Sequence, residues 1–120
     1  MMRIIRRREF LKFPPGTIYC SAPSPDEPIF GVMHVKADTL EYNDFVCLAL
    51  NGIDAHDSGQ LIDRIDEMLQ TGASYPLEES FGRDGCFDDN EIYLIYEPAD
   101  LERIISYCQE ALPKRAAGKD

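Results

Sequence analysis

Asp54, His56 and Asp57 stand within four residues of one another and form the densest grouping of catalytic side-chain types in the chain. A histidine between carboxylates can take and return a proton near neutral pH, and the carboxylates could hold a hard cation. The same residues have a plainer reading. An apolar helical pattern begins directly after them, so Asp57 is expected to cap that helix. Asp54 is expected in a turn after Asn51-Gly52, with His56 solvated. The other histidine, His34, sits beside Lys36, and no spacing rule ties it to His56. No serine occupies a G-x-S-x-G elbow, and no glycine-rich phosphate loop follows a strand pattern. The sequence therefore predicts a protein that is not an enzyme.

Metal and cofactor chemistry find equally little support. The run Asp84, Asp88, Asp89, Asn90, Glu91 has the composition of a calcium loop, but counting from Asp84 puts no glycine sixth and no glutamate twelfth. Cys20, Cys47, Cys86 and Cys108 are widely spaced and lack the close pairs of a zinc site. Cys47 falls in an apolar run and Cys108 on an apolar helical stripe, so both are expected buried; Cys20 and Cys86 lie in looser surroundings. No cofactor and no metal are predicted.

Residues 73–90 show no periodic pattern, an unusual length for an inert loop in a compact domain. This segment supplies Phe81 and Phe87 as flat apolar surface, Arg83 as a charged fork, and Asp84 and Asn90 as hydrogen-bonding groups. Aromatic and arginine side chains are common interface anchors. With His34 and Arg103 they make up the candidate residues for binding a ligand or partner. The alternative is a lid that packs its aromatics into the core.

Charge gives the segment a setting. Residues 37–111 hold eighteen of the twenty-two acidic residues and only Arg64, Arg83 and Arg103 as bases, for a formal −15; residues 1–36 sum to +3 and 112–120 to +2. A field of this kind steers partners. Direct DNA binding is not expected at a net −10, and Arg6, Arg7 and Arg8 are expected to pair with the acidic belt of the same or a neighbouring molecule. The longest apolar run, 45–50, is too short to span a bilayer, and Ile4-Ile5 is cut off by arginines where a secretory signal would need an apolar stretch. These features predict a cytoplasmic protein with no membrane association.

The elements that must position these residues follow from pattern. Strands are expected at 2–6, 17–20, 29–36, 45–50 and 92–96. In the third, Met33 and Val35 face inward, with His34 and Lys36 on the polar side; the fourth should be covered on both faces. The clearest helix is 58–71, with Leu61, Ile62, Ile65, Met68 and Leu69 at helical spacing, Asp57 as cap, Gln60 completing an approximate capping box, and Gly72 as stop. Pro98 opens a second helix whose stripe runs Leu101, Ile104, Ile105, Cys108, Leu112, and Pro113 ends it. A short helical turn is expected at 8–13, and 73–90 has room for a short hairpin at Asp84-Gly85. The sum is α+β: a mostly antiparallel sheet with two main helices on one face, as one domain over 1–112, with 113–120 a disordered basic tail.

Residues 8–19, R-E-F-L-K-F-P-P-G-T-I-Y, resemble the opening R-E-x-F-L-x-x-P-x-G-T of small bacteriophage and prophage accessory proteins; the stretch 82–88 has a similar character. The resemblance covers about a tenth of the chain and departs from the usual pattern in having Arg8 followed by a single Glu. It implies an inhibitor of host defence, some examples of which sequester a nucleotide signal. The expected function is a non-catalytic binding or inhibitor protein in the host cytoplasm. Its partner is a host protein or a small anionic nucleotide, and it is expected to form homo-oligomers. An acidic nucleic-acid mimic, a small Asp/His enzyme and a structural homo-oligomer are the alternatives.

Overall fold

The computed structural model describes the backbone of residues 1–118 and side chains as far as Pro113. The chain is α+β, with a six-stranded antiparallel sheet. In chain order the elements are β1 (Arg3–Arg6), α1 (Arg7–Phe10), β2 (Ile18–Ala22), β3 (His34–Leu40), β4 (Asp44–Ala49), α2 (Ser58–Thr71), β5 (Gly82–Arg83), β6 (Ile92–Ile95) and α3 (Pro98–Gly118). The sheet order is β1-β6-β2-β3-β4-β5. β6 therefore lies between the first two strands, pairing Ile5 with Tyr93 on one side and Tyr19 with Ile95 on the other.

Aromatic side chains make the core. Phe10, delivered by the single turn of α1, stacks on Tyr93 with ring centroids 3.9 Å apart and planes 2° apart. Its edges meet Tyr19 at 4.7 Å and Phe45 at 5.1 Å. Ile5 and Ile95 complete the buried cluster, with Leu11, Phe13 and Cys47 packed around it. The segment 8–19 is thus a folding device. Its phenylalanines close the core, Thr17 Oγ1 donates to the Pro14 carbonyl at 2.8 Å, and Gly16 turns the chain at φ 96°, a conformation glycine adopts freely.

The helices depart from the expected packing. α2 forms as its local signals dictate: Asp57 accepts from the Gln60 N–H at 2.8 Å, Gln60 Oε1 accepts from the His56 N–H at 2.7 Å, and Gly72 closes the helix at φ 75°. Yet no residue of α2 is buried. The core cluster takes nothing from α2 or α3; Phe10 of α1 is its helical member. Pro113 lies inside α3, where it removes one backbone donor without ending the helix. Of the tail expected at 113–120, residues 119 and 120 lie outside the described residues.

Other local expectations shift as well. β3 begins at His34 and runs on to Leu40. Lys36 is buried instead of solvated: its Nζ donates to Thr39 Oγ1 at 2.7 Å and to the Ala37 carbonyl at 3.1 Å. Val46 and Leu48 are only half-buried, so β4 is not covered on both faces. Cys20 is buried, Cys47 half-buried, and Cys108 exposed; Cys108 lies on the part of its helical stripe that is exposed among the described residues, with Ile105 and Leu112. Residues 73–90 contain no hairpin of their own; they contribute β5, which adds to the edge of β4.

Candidate functional site

The densest polar constellation is centred on Arg7. Its side chain is 0 % exposed and reaches the starts of β4 and β6. Nη2 donates to the Asn43 carbonyl at 2.6 Å and Nε to Asn43 Oδ1 at 3.3 Å. Nη1 donates to Tyr93 Oη at 2.6 Å, Asp84 Oδ2 at 3.2 Å and Glu91 Oε1 at 3.4 Å. The guanidinium carbon lies 5.3 Å from the Phe45 ring centroid. Tyr93 in turn donates to Glu91, and burial followed by that carboxylate pushes the Tyr93 hydroxyl's pKa up, so it stays protonated and able to donate.

A second charge pair adjoins it. Asp44, also buried, accepts from Arg83 Nε at 2.8 Å, the Gly85 N–H at 3.0 Å and its neighbour Phe45 N–H at 2.9 Å. Burial alone would raise the Asp44 pKa; the hydrogen bonds from Gly85, Arg83 and Phe45 outweigh it and hold the group below the ordinary carboxylate value. Sign and window follow: Asp44 stabilises the fold above the unfolded carboxylate pKa, and that contribution disappears as pH falls through the lower folded value. Asp44→Asn is therefore expected to flatten the acid limb of a stability-versus-pH profile below about pH 4. Denaturant midpoints across that range measure it, and an unaltered limb refutes the assignment.

These two pairs fasten the end of the long loop. Asn43 adds bonds from Nδ2 to Asp89 Oδ1 at 3.1 Å and to the Phe87 carbonyl at 3.4 Å. Phe87 adopts φ 56°, a left-handed conformation that costs a bulky side chain on the order of 1 kcal/mol or more. The clasp holds it there. Asp84, Cys86 and Glu91 bring three ligand-type atoms within 4.8 Å of one another. Arg7 Nη1 already bonds to both carboxylates, so its positive charge serves where a cation would bind. Every buried side-chain nitrogen and oxygen among the described residues has a partner.

The sequence candidates separate accordingly. Asp84 is in the clasp. Arg83 pairs with Asp44 while most of its side chain faces solvent. His34 stacks on Tyr19 at 5.4 Å and shares with Arg83 a groove of about 210 Å³ that Cys47, Glu78 and Ser80 also line. Phe81 and Phe87 are exposed, so the aromatics are not a lid packed into the core. Asn90 offers its N–H to the Asp88 side chain at 2.9 Å. Arg103 lies on α3, which follows β6 near the β1 edge, and its Nε reaches Tyr107 Oη at 3.3 Å. β5, with Arg83, forms the opposite edge of the sheet, so the two arginines do not share a site. Asp57 is engaged as the helix cap, and Asp54 pairs with Arg64 at 3.5 Å.

A different surface remains unsatisfied. On α2, Ile62 is 66 %, Ile65 40 % and Leu69 79 % exposed. Asp63, Asp66 and Glu67 are exposed on the same helix. Arg64, its one base, folds back onto the Asp54 carbonyl and over the Tyr75 ring at 4.5 Å. Tyr75 also bonds to Glu67. Helical periodicity pointed to these apolar residues, on a helix expected to pack on one face of the sheet. No helix among the described residues is long and apolar enough to cross a membrane. Comparison with protein-family models, curated proteins and solved structures gave no match.

Proposed function

We propose that this chain is a non-catalytic binding protein that holds a protein partner against α2. The observation that carries this reading is the exposed stripe Ile62, Ile65, Leu69 with carboxylates on the same helix. Apolar side chains on a helix supply interface area, and the acidic rim selects a partner whose apolar groove is edged by lysine or arginine. The long-range field of residues 37–111, formally −15, speeds that encounter.

Sequestration of a small anionic nucleotide is less well supported. Arg7 is buried and fully engaged, Arg83 is paired with Asp44, and Arg103 sits near the far edge of the sheet. No two of these cations converge on one groove. The resemblance of residues 8–19 to phage accessory proteins extends the proposal: the partner is a host protein, and binding inhibits it in the host cytoplasm.

Native mass spectrometry of the chain recovered from host cells tests this. A stoichiometric protein partner is expected. Ile62→Asp with Leu69→Asp should weaken its capture at least tenfold while far-UV circular dichroism is unchanged. Affinity should also fall as salt rises from about 50 to about 500 mM. A bound small anion with no protein partner, or capture indifferent to both substitutions, would sink the proposal.

A further inference from the structure

We infer that the free edge of β1 takes an extended acidic segment of a partner protein as an added strand of the sheet. This surface is separate from α2, and the inference does not rest on the function proposed above. β1 ends the sheet and pairs with β6 on one side only. Its outward backbone groups follow from the register. The Tyr96 N–H donates to the Ile18 carbonyl at 3.0 Å, and antiparallel strands exchange such bonds at alternate residues. Ile92 and Leu94 therefore bond towards β2, whereas Tyr93 and Ile95 bond towards β1, where they face Ile5 and Arg3. The N–H and C=O of Ile4 and the N–H of Arg6 are left pointing outwards. Ile4 is 54 % exposed, so this stretch of edge is open to a ligand.

The side chains along the edge build a subsite. Successive residues of a strand point to opposite faces, so Ile4, Arg6 and Ile92 share the face opposite to Ile5 and Tyr93. With Pro25 and Pro28 they line a hollow of about 250 Å³. Arg6 is its one charged lining residue; Asp26 and Glu27, from the same loop as the prolines, do not line it. An added strand sets the residue opposite Ile4 against the apolar part of the hollow, and the residue opposite Arg6 beside the guanidinium. In this mode of recognition main-chain bonds to the edge supply affinity, and pockets for alternate side chains supply selectivity.

Charge selects the occupant. Residues 1–8 include Arg3, Arg6, Arg7 and Arg8 and no acidic side chain. Arg7 is neutralised by Asp84 and Glu91, and Arg3 pairs with Glu97 at 3.3 Å. Arg6 and Arg8 are exposed and form no ion pair among the described residues. A second copy of β1 would bring another such pair of arginines to the same strip. Like charges on facing strands are destabilising, and basic side chains guard a sheet edge against self-pairing in this way. A strand bearing carboxylates is instead attracted. In the antiparallel sense of the rest of the sheet, the matching segment reads acidic, β-branched, apolar, set opposite Arg6, Ile5 and Ile4 in turn.

Fluorescence anisotropy of the labelled peptide acetyl-Glu-Glu-Val-Leu-Thr-Ser-amide with the full chain tests the added strand. Saturable binding is expected. Methylating the leucine backbone nitrogen keeps every side chain but removes the donor to the Ile4 carbonyl, and should weaken binding at least tenfold. Replacing both glutamates by lysine should do the same, and Arg6→Glu should reverse the preference between the two peptides, a switch that loss of folding cannot produce. Ile4→Pro removes an N–H that points away from β6, a position where an edge strand tolerates proline. It should abolish binding with the far-UV circular dichroism unchanged, while Ile4→Val retains it. The methylated peptide is read on the wild-type fold, so it decides the question even where Ile4→Pro lowers stability. A wild-type chain that does not bind the acidic peptide overturns the inference. So does equal binding of the methylated or the lysine peptide, or a preference that Arg6→Glu leaves unaltered.

Discussion

Arg7→Met is expected to lower the free energy of unfolding by about 3–5 kcal/mol, the usual cost of removing one member of a buried ion pair. Methionine matches the length of the side chain and fills most of its space, so the loss is electrostatic rather than a cavity. Asp84 and Glu91 would be left near each other without the shared guanidinium, and Tyr93 Oη and the Asn43 carbonyl would each lose a donor. Arg7→Lys should recover little. An ammonium has three donors and no planar fork, while Arg7 bonds from Nε, Nη1 and Nη2 at once. Urea denaturation followed by tyrosine fluorescence measures both. The Arg7→Met deficit should shrink on mild acidification, because protonating one stranded carboxylate relieves the repulsion. A deficit below about 1 kcal/mol would show that the clasp is not what holds residues 84–91 to the sheet.

Phe10→Ala should cost a similar amount, about 3–5 kcal/mol, by a different route. The ring touches Tyr93, Tyr19 and Phe45 together, and α1 is only a single turn that cannot settle into the space left behind. The cavity would also open the apolar roof over Arg7, since Phe45 contacts both residues. Phe10→Leu keeps much of the volume and should recover more than half of the loss. Chemical denaturation reads the magnitude, and near-ultraviolet circular dichroism reads the loosening of Tyr19 and Tyr93. If Phe10→Ala and Phe10→Leu prove equally harmless, the core lies elsewhere.

These two residues mark the boundary of what the sequence reveals. Asp57, Gln60 and Gly72 could be read in advance because a cap is decided within a few residues of the helix end. Strand β6 was legible for a similar reason, as a short apolar run followed by Pro98. Arg7, Lys36 and Asp44 were not. Arg7 finds its partners 36, 77 and 84 residues away, and no local pattern reports a charge neutralised at such separation. The expectation that an N-terminal arginine would meet the acidic belt had the right sign, but it could not say that the meeting point is interior. Lys36 was assigned to solvent by strict alternation, which cannot see a side chain curling back onto Thr39. For Ile62, Ile65 and Leu69 periodicity established an apolar face; whether that face meets the chain's own sheet or something else is a tertiary fact. Among the candidate residues, Asp84 and Arg83 were expected to bind a ligand or partner, and in the fold each pairs with a charge of the chain itself, Arg7 and Asp44.

The placement of β6 between β1 and β2 has a consequence for how the molecule is made. Residues 1–22 contain two strands that never touch each other directly, and the wedge that joins them is synthesised about seventy residues later. Until then the emerging chain can pair only β2, β3, β4 and β5 of the sheet, and Arg7 lacks Glu91 and Tyr93. Closure of the sheet and closure of the clasp therefore coincide, since Tyr93 belongs to both. Such long-range closure is slow compared with local pairing, and it ties the extreme N-terminus to the last strand, so that loss of β6 leaves β1 without a partner in the sheet.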